Sequence, residues 1–276
     1  MSGKGNRTME RLLFGDNQFF GINHMSEEKA RAQAMRFQDT QAIMDVLDTA
    51  YDEGIRTFMC TTHDRISEIC DIVRANPDRY AEFIFYPCMP YAHKYANAVT
   101  DHGMLGAITQ FMPEGGFIKT ALRSGKALAS KDADGIAKVL IDAEMKMFKG
   151  LKTPVIFMQN VFTDLLLGMV FTRSFRIFHD HINEHEGIDK PIVCSNINKI
   201  GFRMCGGLDR YVETLQSGRV RAIAMSVYAS GAIPPDEAIE WISGLPNVES
   251  IVFGASSAGN IRSTRDLVAR HMWNAA

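Results

Sequence analysis

No stretch of this 276-residue chain is an unbroken apolar run of the ~20 residues that a bilayer-spanning helix needs. No membrane partner is expected. Lys and Arg form no stripe, and the formal net charge is −2. A nucleic-acid partner normally demands clustered cations, so none is expected either. The five cysteines, Cys60, Cys70, Cys88, Cys194 and Cys205, are odd in number and lack zinc-finger spacing. They read as reduced thiols of a cytoplasmic protein rather than as a disulfide framework. Met1 to Glu10 is short and polar, has no apolar signal-peptide core, and reads as a flexible N-terminus over residues 1–10. Internal repeats and low-complexity segments are missing too. So is a G-x-G-x-x-G turn after the first apolar run, which ends Gly15-Asp16-Asn17-Gln18. That removes the main fingerprint of a doubly wound dinucleotide-binding sheet.

What is present is an ordinary globular composition, 46% hydrophobic and 22% charged, with enough apolar material for one large core. The sixteen methionines suit irregular core space. Short apolar runs bounded by turn residues alternate with segments of helical period, the pattern of buried parallel strands joined by helices. The runs are Leu12 to Phe14, Thr57 to Cys60, Phe83 to Tyr86 (ended by Pro87), a weak one near Leu105 to Thr109, Val155 to Met158, Ile192 to Cys194, Val220 to Met225, and Ser250 to Phe253. A long polar loop is expected from Gln18 to about Phe37. Helical stripes follow at Ile43 to Tyr51, Ile66 to Val73, Ile136 to Met147, Thr163 to about Glu186, Tyr211 to Leu215, Pro235 to Ile242, and Ile261 to His271. Asp39 or Thr40 suits the first helix's N-cap and Gly54 its stop. Eight strands and eight helices in this length predict an α/β fold of the (β/α)8 TIM-barrel class, one domain over residues 11–276.

In such a fold the chemistry sits on the loops after the strands. Asn17, Gln110, Gln159 and Asn196 place an amide at or near a strand end. With Asn160 and Tyr228 they suit a ligand bearing hydroxyls and carbonyls. His24, His63 and His93 follow adjacent strands, and Asp16 and Asp64 lie near them. Histidine titrating near neutral pH and oriented by a carboxylate gives acid-base chemistry; the same set offers divalent-metal ligands. Gly254, Ser256 and Ser257, with Asn260 and Arg262 in the next helix, suggest an anion or phosphate site at a helix N-terminus.

Three stretches carry a family resemblance. Gly218-Arg219-Val220-Arg221-Ala222-Ile223-Ala224-Met225-Ser226 resembles the seventh-strand signature of the aldo-keto reductase superfamily. Phe253-Gly254-Ala255-Ser256-Ser257 with Asn260-Ile261-Arg262 resembles its nucleotide-phosphate loop, and Glu53-Gly54-Ile55-Arg56-Thr57-Phe58 resembles the approach to its second strand. The similarity is concentrated in the C-terminal third. It implies a barrel and an NADPH-type cofactor. The family's catalytic tetrad is not matched. Met59-Cys60-Thr61 stands where its Asp would be, His63 or Asp64 near its Tyr, Tyr86-Pro87-Cys88 at its Lys, and Gln159-Asn160 at its His.

The leading expectation is therefore a metabolic enzyme of lyase or isomerase type acting on a small polar, optionally phosphorylated, hydroxy-carbonyl compound. His24 or His63 would move a proton and Asp16 or Asp64 would orient it. Asn17, Gln159, Asn160, Asn196 and Tyr228 would bind substrate, and Gly254, Ser256, Ser257, Asn260 and Arg262 the anionic end. The alternatives are an NADPH-dependent reductase with altered catalytic residues and a non-catalytic metabolite-binding barrel. The cofactor stays open between a divalent metal and NADPH. The partner expected is a small molecule, with a homodimer as the oligomeric expectation.

Overall fold

The computed structural model describes residues 9–21, 26–88, 144–154, 158–159, 192–204, 206–218 and 220–272. Seven parallel strands are seen among them: β1 (Leu12–Gly15), β2 (Thr57–Cys60), β3 (Ile84–Pro87), β4 (Met158–Gln159), β5 (Ile192–Asn196), β6 (Arg221–Met225) and β7 (Val248–Phe253). The described helices are α1 (Glu27–Arg36), α2 (Thr40–Asp52), α3 (Asp64–Ala75), α4 (Leu208–Gln216), α5 (Pro235–Ser243) and α6 (Ala258–Met272). None is long and apolar enough to cross a membrane.

The strands form one sheet in the order β3-β2-β1-β7-β6-β5-β4. Apart from β3 and β4, which form the two edges, consecutive strands lie side by side, and the first pairs with the last through Leu12 with Ile251 and Phe14 with Phe253. A doubly wound sheet does not have that order; a sheet curled towards a barrel does. The expected fourth strand near Leu105 to Thr109, most of the fifth, and the helices over 136–143 and 163–186 lie outside the described residues. At the free edge of β3, Ile84 bridges Lys152 in parallel, and Phe85 N–H donates to the Lys152 carbonyl at 2.8 Å. At the other edge, Met158–Gln159 pairs with β5. One edge of the row thus meets Lys152, and the other is formed by Met158–Gln159.

Local chemistry explains the elements. α2 begins where the Asp39 carboxylate accepts from Gln41 N–H, satisfying an otherwise orphan donor. It stops before Gly54, whose φ of +88° is costly for any other residue. Ile43, Val46, Leu47, Ala50 and Tyr51 form its buried face. α3 buries Ile66, Ile69, Cys70 and Val73; each buried isoleucine is worth about 1.5–3 kcal/mol against exposure. α2 packs on α3 and α6, and α5 on α6.

One sequence expectation is corrected. The long polar loop from Gln18 to Phe37 instead holds a 3-10 turn (Asn17–Phe20) and α1. α1 has no apolar stripe to announce it. It is built from strong helix formers, with Glu27 and Glu28 in its first turn, Arg36 in its last, and an Arg31–Glu27 ion pair. As expected, Pro87 is the last residue of the third strand, where it stands in register with Cys60. The strand tolerates it because Ile84 and Cys88 donate to β2 while Phe85 donates to the opposite side. The missing Pro87 N–H therefore faces away from β2.

Candidate functional site at the strand ends

Because all seven strands run in parallel, their C-terminal ends share one rim. A cavity of about 780 Å3 opens there. Asp16, Asn17 and Gln18 line it from the end of β1, Cys60 and Thr61 from β2, and Cys88 from β3. The stretch Met225–Tyr228 and residues 230–235 line it after β6. Gly254 and Ala255 follow from β7, and Asn260, Ser263, Thr264 and Leu267 come from one face of α6.

Asp16 is buried, and its Oδ2 accepts twice from Thr61, from the backbone N–H and from the hydroxyl, each at 2.8 Å. Burial raises its pKa above the ordinary carboxylate value, and the Thr61 bonds offset only part of that rise. The buried thiols Cys60 and Cys194 lie near enough to feel its charge, and burial pushes both upward. Among the described lining residues there is no Lys, Arg or His. No described group of three His, Cys, Asp or Glu side chains could hold a metal ion.

Gln18 is buried beside Asp16. Its Nε2 donates to the Gly15 carbonyl at 2.8 Å, and its amide lies directly over Gly254. A Cβ on Gly254 would stand 2.8 Å from Gln18 Cδ and nearer still to Oε1. Gly254 is thus the residue that makes room for the amide. After β6 the backbone is strained: Ser226 (φ 54°), Ala229 (φ 45°) and Ser230 (φ 58°) all occupy the left-handed region, which costs non-glycine residues of order 1–3 kcal/mol each. Tyr228 lies in this strained turn, and burial raises its phenol pKa, with the Thr264 side chain lowering it in part.

The other expected site residues are placed as follows. Asn17, Tyr228, Gly254 and Asn260 line the cavity with Asp16. His63 and Asp64 do not line it. His63 is the N-cap of α3: its Nδ1 accepts from Arg65 N–H at 3.2 Å, and its ring lies 4.4 Å from that of Phe20. Asp64 opens α3 and is exposed. Gln159 ends β4, and Asn196 ends β5 with its Nδ2 donating to the Arg203 carbonyl at 3.2 Å. Arg262 pairs with Glu53 at 3.2 Å. The Ser256 carbonyl accepts from Arg36 of α1 at 3.1 Å, and Ser257 Oγ accepts from Asn260 N–H at 3.3 Å. His24, His93, Gln110 and Asn160 lie outside the described residues. Sequence reasoning missed Ser263, Thr264 and Leu267. The spacing 260, 263, 264, 267 marks a single helix face and could have shown them.

No family model matches the sequence, and no curated protein matches it. Among solved structures, two from Pseudomonas aeruginosa, both described provisionally as aldo-keto reductases, resemble the chain with TM-scores of 0.53 and 0.52. Their identities are 12% and 10%; each alignment covers 95% of this chain and 90% of the other. At such identity the likeness is one of fold.

Proposed function

We propose that this chain is an oxidoreductase of aldo-keto reductase type, with rebuilt catalytic residues and a nicotinamide dinucleotide as its cofactor. The observation that carries the reading is one cavity shared by the turn after β6, the turn after β7 and one face of α6. The turn after β7 and the start of α6 hold the stretch whose sequence resembles the nucleotide-phosphate loop of that family, β6 holds the one that resembles its seventh-strand signature, and the fold likeness points the same way. An eight-strand closure, with the undescribed segments supplying the remainder, belongs to the same reading.

The residues fit such a cofactor. The N-terminus of α6 offers the positive end of a helix dipole to a phosphate. Arg36 stands at the Ser256 carbonyl and supplies the cation that the lining lacks. The amides of Asn17 and Asn260 offer both donors and acceptors to a carboxamide or ribose. When bound, the cofactor supplies hydride chemistry; the chain supplies orientation and a proton donor.

The lyase or isomerase expectation rested on rim histidines. It loses ground because His63 serves as a helix cap and Asp64 faces solvent, while the fold likeness favours a reductase. Titration with NADPH, followed by cofactor fluorescence, tests the proposal. Saturable binding is expected, weakened about tenfold or more by Arg36→Ala. No binding of NADPH or NADH at millimolar concentration refutes it.

A further inference from the structure

α1 is fastened to the rest of the protein at few points. None of its described side chains is buried, and Met35 is 72% exposed; α2, by contrast, buries seven. Three attachments hold α1. At its C-terminal end the chain enters the core through Phe37, which is fully buried and edge-on to Phe19 at 5.0 Å, with its carbonyl accepting from Arg65. Along its length Ala30 and Ala34 sit on Gly21, so close that a Cβ there would stand 2.8 Å from the Ala30 carbonyl oxygen and 2.9 Å from Ala34 Cβ. At its last residue, Arg36 leans over the Phe37 ring, 5.1 Å from the centroid, and donates to the Ser256 carbonyl at 3.1 Å.

The docked position carries a defect. Gln33 Oε1 is buried and meets no donor among the described residues. Water satisfies that oxygen once α1 lifts, so the defect favours lifting. The alanine contact with Gly21 has little apolar area to set against it. A segment with few buried apolar contacts and exposed helical hydrogen bonds opens well before the whole domain does. α1 also joins the two sides of the cavity mouth. It rests on the turn Asn17–Phe20, whose Asn17 and Gln18 line the cavity, and it ends on the turn after β7, whose Gly254 and Ala255 line it too.

We infer that α1 is a strap, hinged at Phe37, that lifts from the turn Asn17–Phe20 while the sheet stays folded, and that an anionic group of the ligand arriving at the turn after β7 fastens it. In the free protein the hydrogen bond that Arg36 makes at this turn goes to a neutral carbonyl. A phosphate there offers a charge-assisted bond, roughly twice as strong. A ligand that bonds Arg36 only in the docked position shifts the strap towards that position. That the anion is a cofactor phosphate rests on the reductase reading; the lifting of α1 does not.

Hydrogen exchange of the intact protein, read by mass spectrometry on peptides from α1 and α2, tests both halves. Amides of α1 are expected to exchange about a hundredfold or more faster than those of α2, under conditions where the protein is otherwise folded. Gln33→Leu removes the orphaned acceptor at nearly unchanged helix propensity. It is expected to slow exchange in α1 by about tenfold or more and to leave α2 unmoved; a helix that merely frays in place would not respond. Saturating NADPH is expected to slow α1 exchange by about tenfold or more in the natural protein, and not in Arg36→Ala brought to the same occupancy. Inorganic pyrophosphate, an anion with no nicotinamide, takes its place if NADPH does not bind. The natural-protein measurements need no variant to fold. Exchange in α1 as slow as in α2, no response to Gln33→Leu, or a bound anion that leaves α1 exchange unchanged would each overturn the inference. If NADPH fails to bind while pyrophosphate slows α1, the reductase reading falls and the strap stands. If NADPH binds and α1 does not respond, the strap falls and the reductase reading stands.

Discussion

Gly254→Ala should destabilise the protein through one side chain, Gln18. The backbone at Gly254 is not in the left-handed region, so alanine meets no conformational penalty there. By restricting the unfolded chain it should even add about 0.4–1 kcal/mol of stability. The new methyl, however, would stand 2.8 Å from Gln18 Cδ and closer to Oε1. The amide must swing away, breaking its 2.8 Å bond to the Gly15 carbonyl in a buried place. Leaving a buried polar group unsatisfied costs about 1–3 kcal/mol. The net expectation is a loss of about 1–2 kcal/mol. In a Gln18→Ala background the obstruction is gone, so the same Gly254→Ala change should be neutral or slightly stabilising. Urea unfolding of the four proteins closes a double-mutant cycle, and its coupling should exceed the ~0.5 kcal/mol within which independent sites add. Additive effects would show that Gly254 is not there to admit the amide.

Two further outcomes follow from buried charge. Asp16 has a folded-state pKa above its unfolded value because of burial, so between those two values the native state holds one proton more. Stability of the natural protein should therefore fall by about 1.4 kcal/mol per pH unit as pH rises through that window, a slope that Asp16→Asn lacks; parallel pH–stability curves for the two proteins would contradict it. At the other end of the strands, Arg221 is 3% exposed and bonds both carboxylate oxygens of Glu249, at 2.7 and 2.6 Å, while Glu249 is 28% exposed. Glu249→Gln removes the negative charge facing a buried guanidinium and should cost about 3 kcal/mol. Arg221→Met leaves a carboxylate that water can reach and should cost less, and the reverse ranking in urea midpoints would refute this.

Strands and amphipathic helices were legible because their signals are local. The run Thr57 to Cys60, the Asp39 cap and the stripe from Ile43 to Tyr51 each lie within a dozen residues, and the structure places them there. α1 was not legible, since its helicity comes from propensity and end charges and leaves no apolar period. The candidate site divides in the same way. That Asp16, Asn17 and Gly254 belong to a rim follows from where the strands end. That Asp16 is held by Thr61, and Gly254 covered by Gln18, depends on neighbours brought from other strands. His63 misled because a histidine nitrogen can cap a helix as well as move a proton, and its position in the sequence allows both.

The pairing of β1 with β7, reinforced by the Ser250 hydroxyl donating to the Glu10 carbonyl, joins regions some 240 residues apart. Asp16 and Gln18 come from one side of that seam, Gly254 and Asn260 from the other. During synthesis the early strands can pair with each other, but the pocket has no second wall until the last strand and helix emerge. Contacts so distant along the chain are slow to form, and any fragment ending before β7 would carry half a mouth and an unpaired, apolar β1 edge.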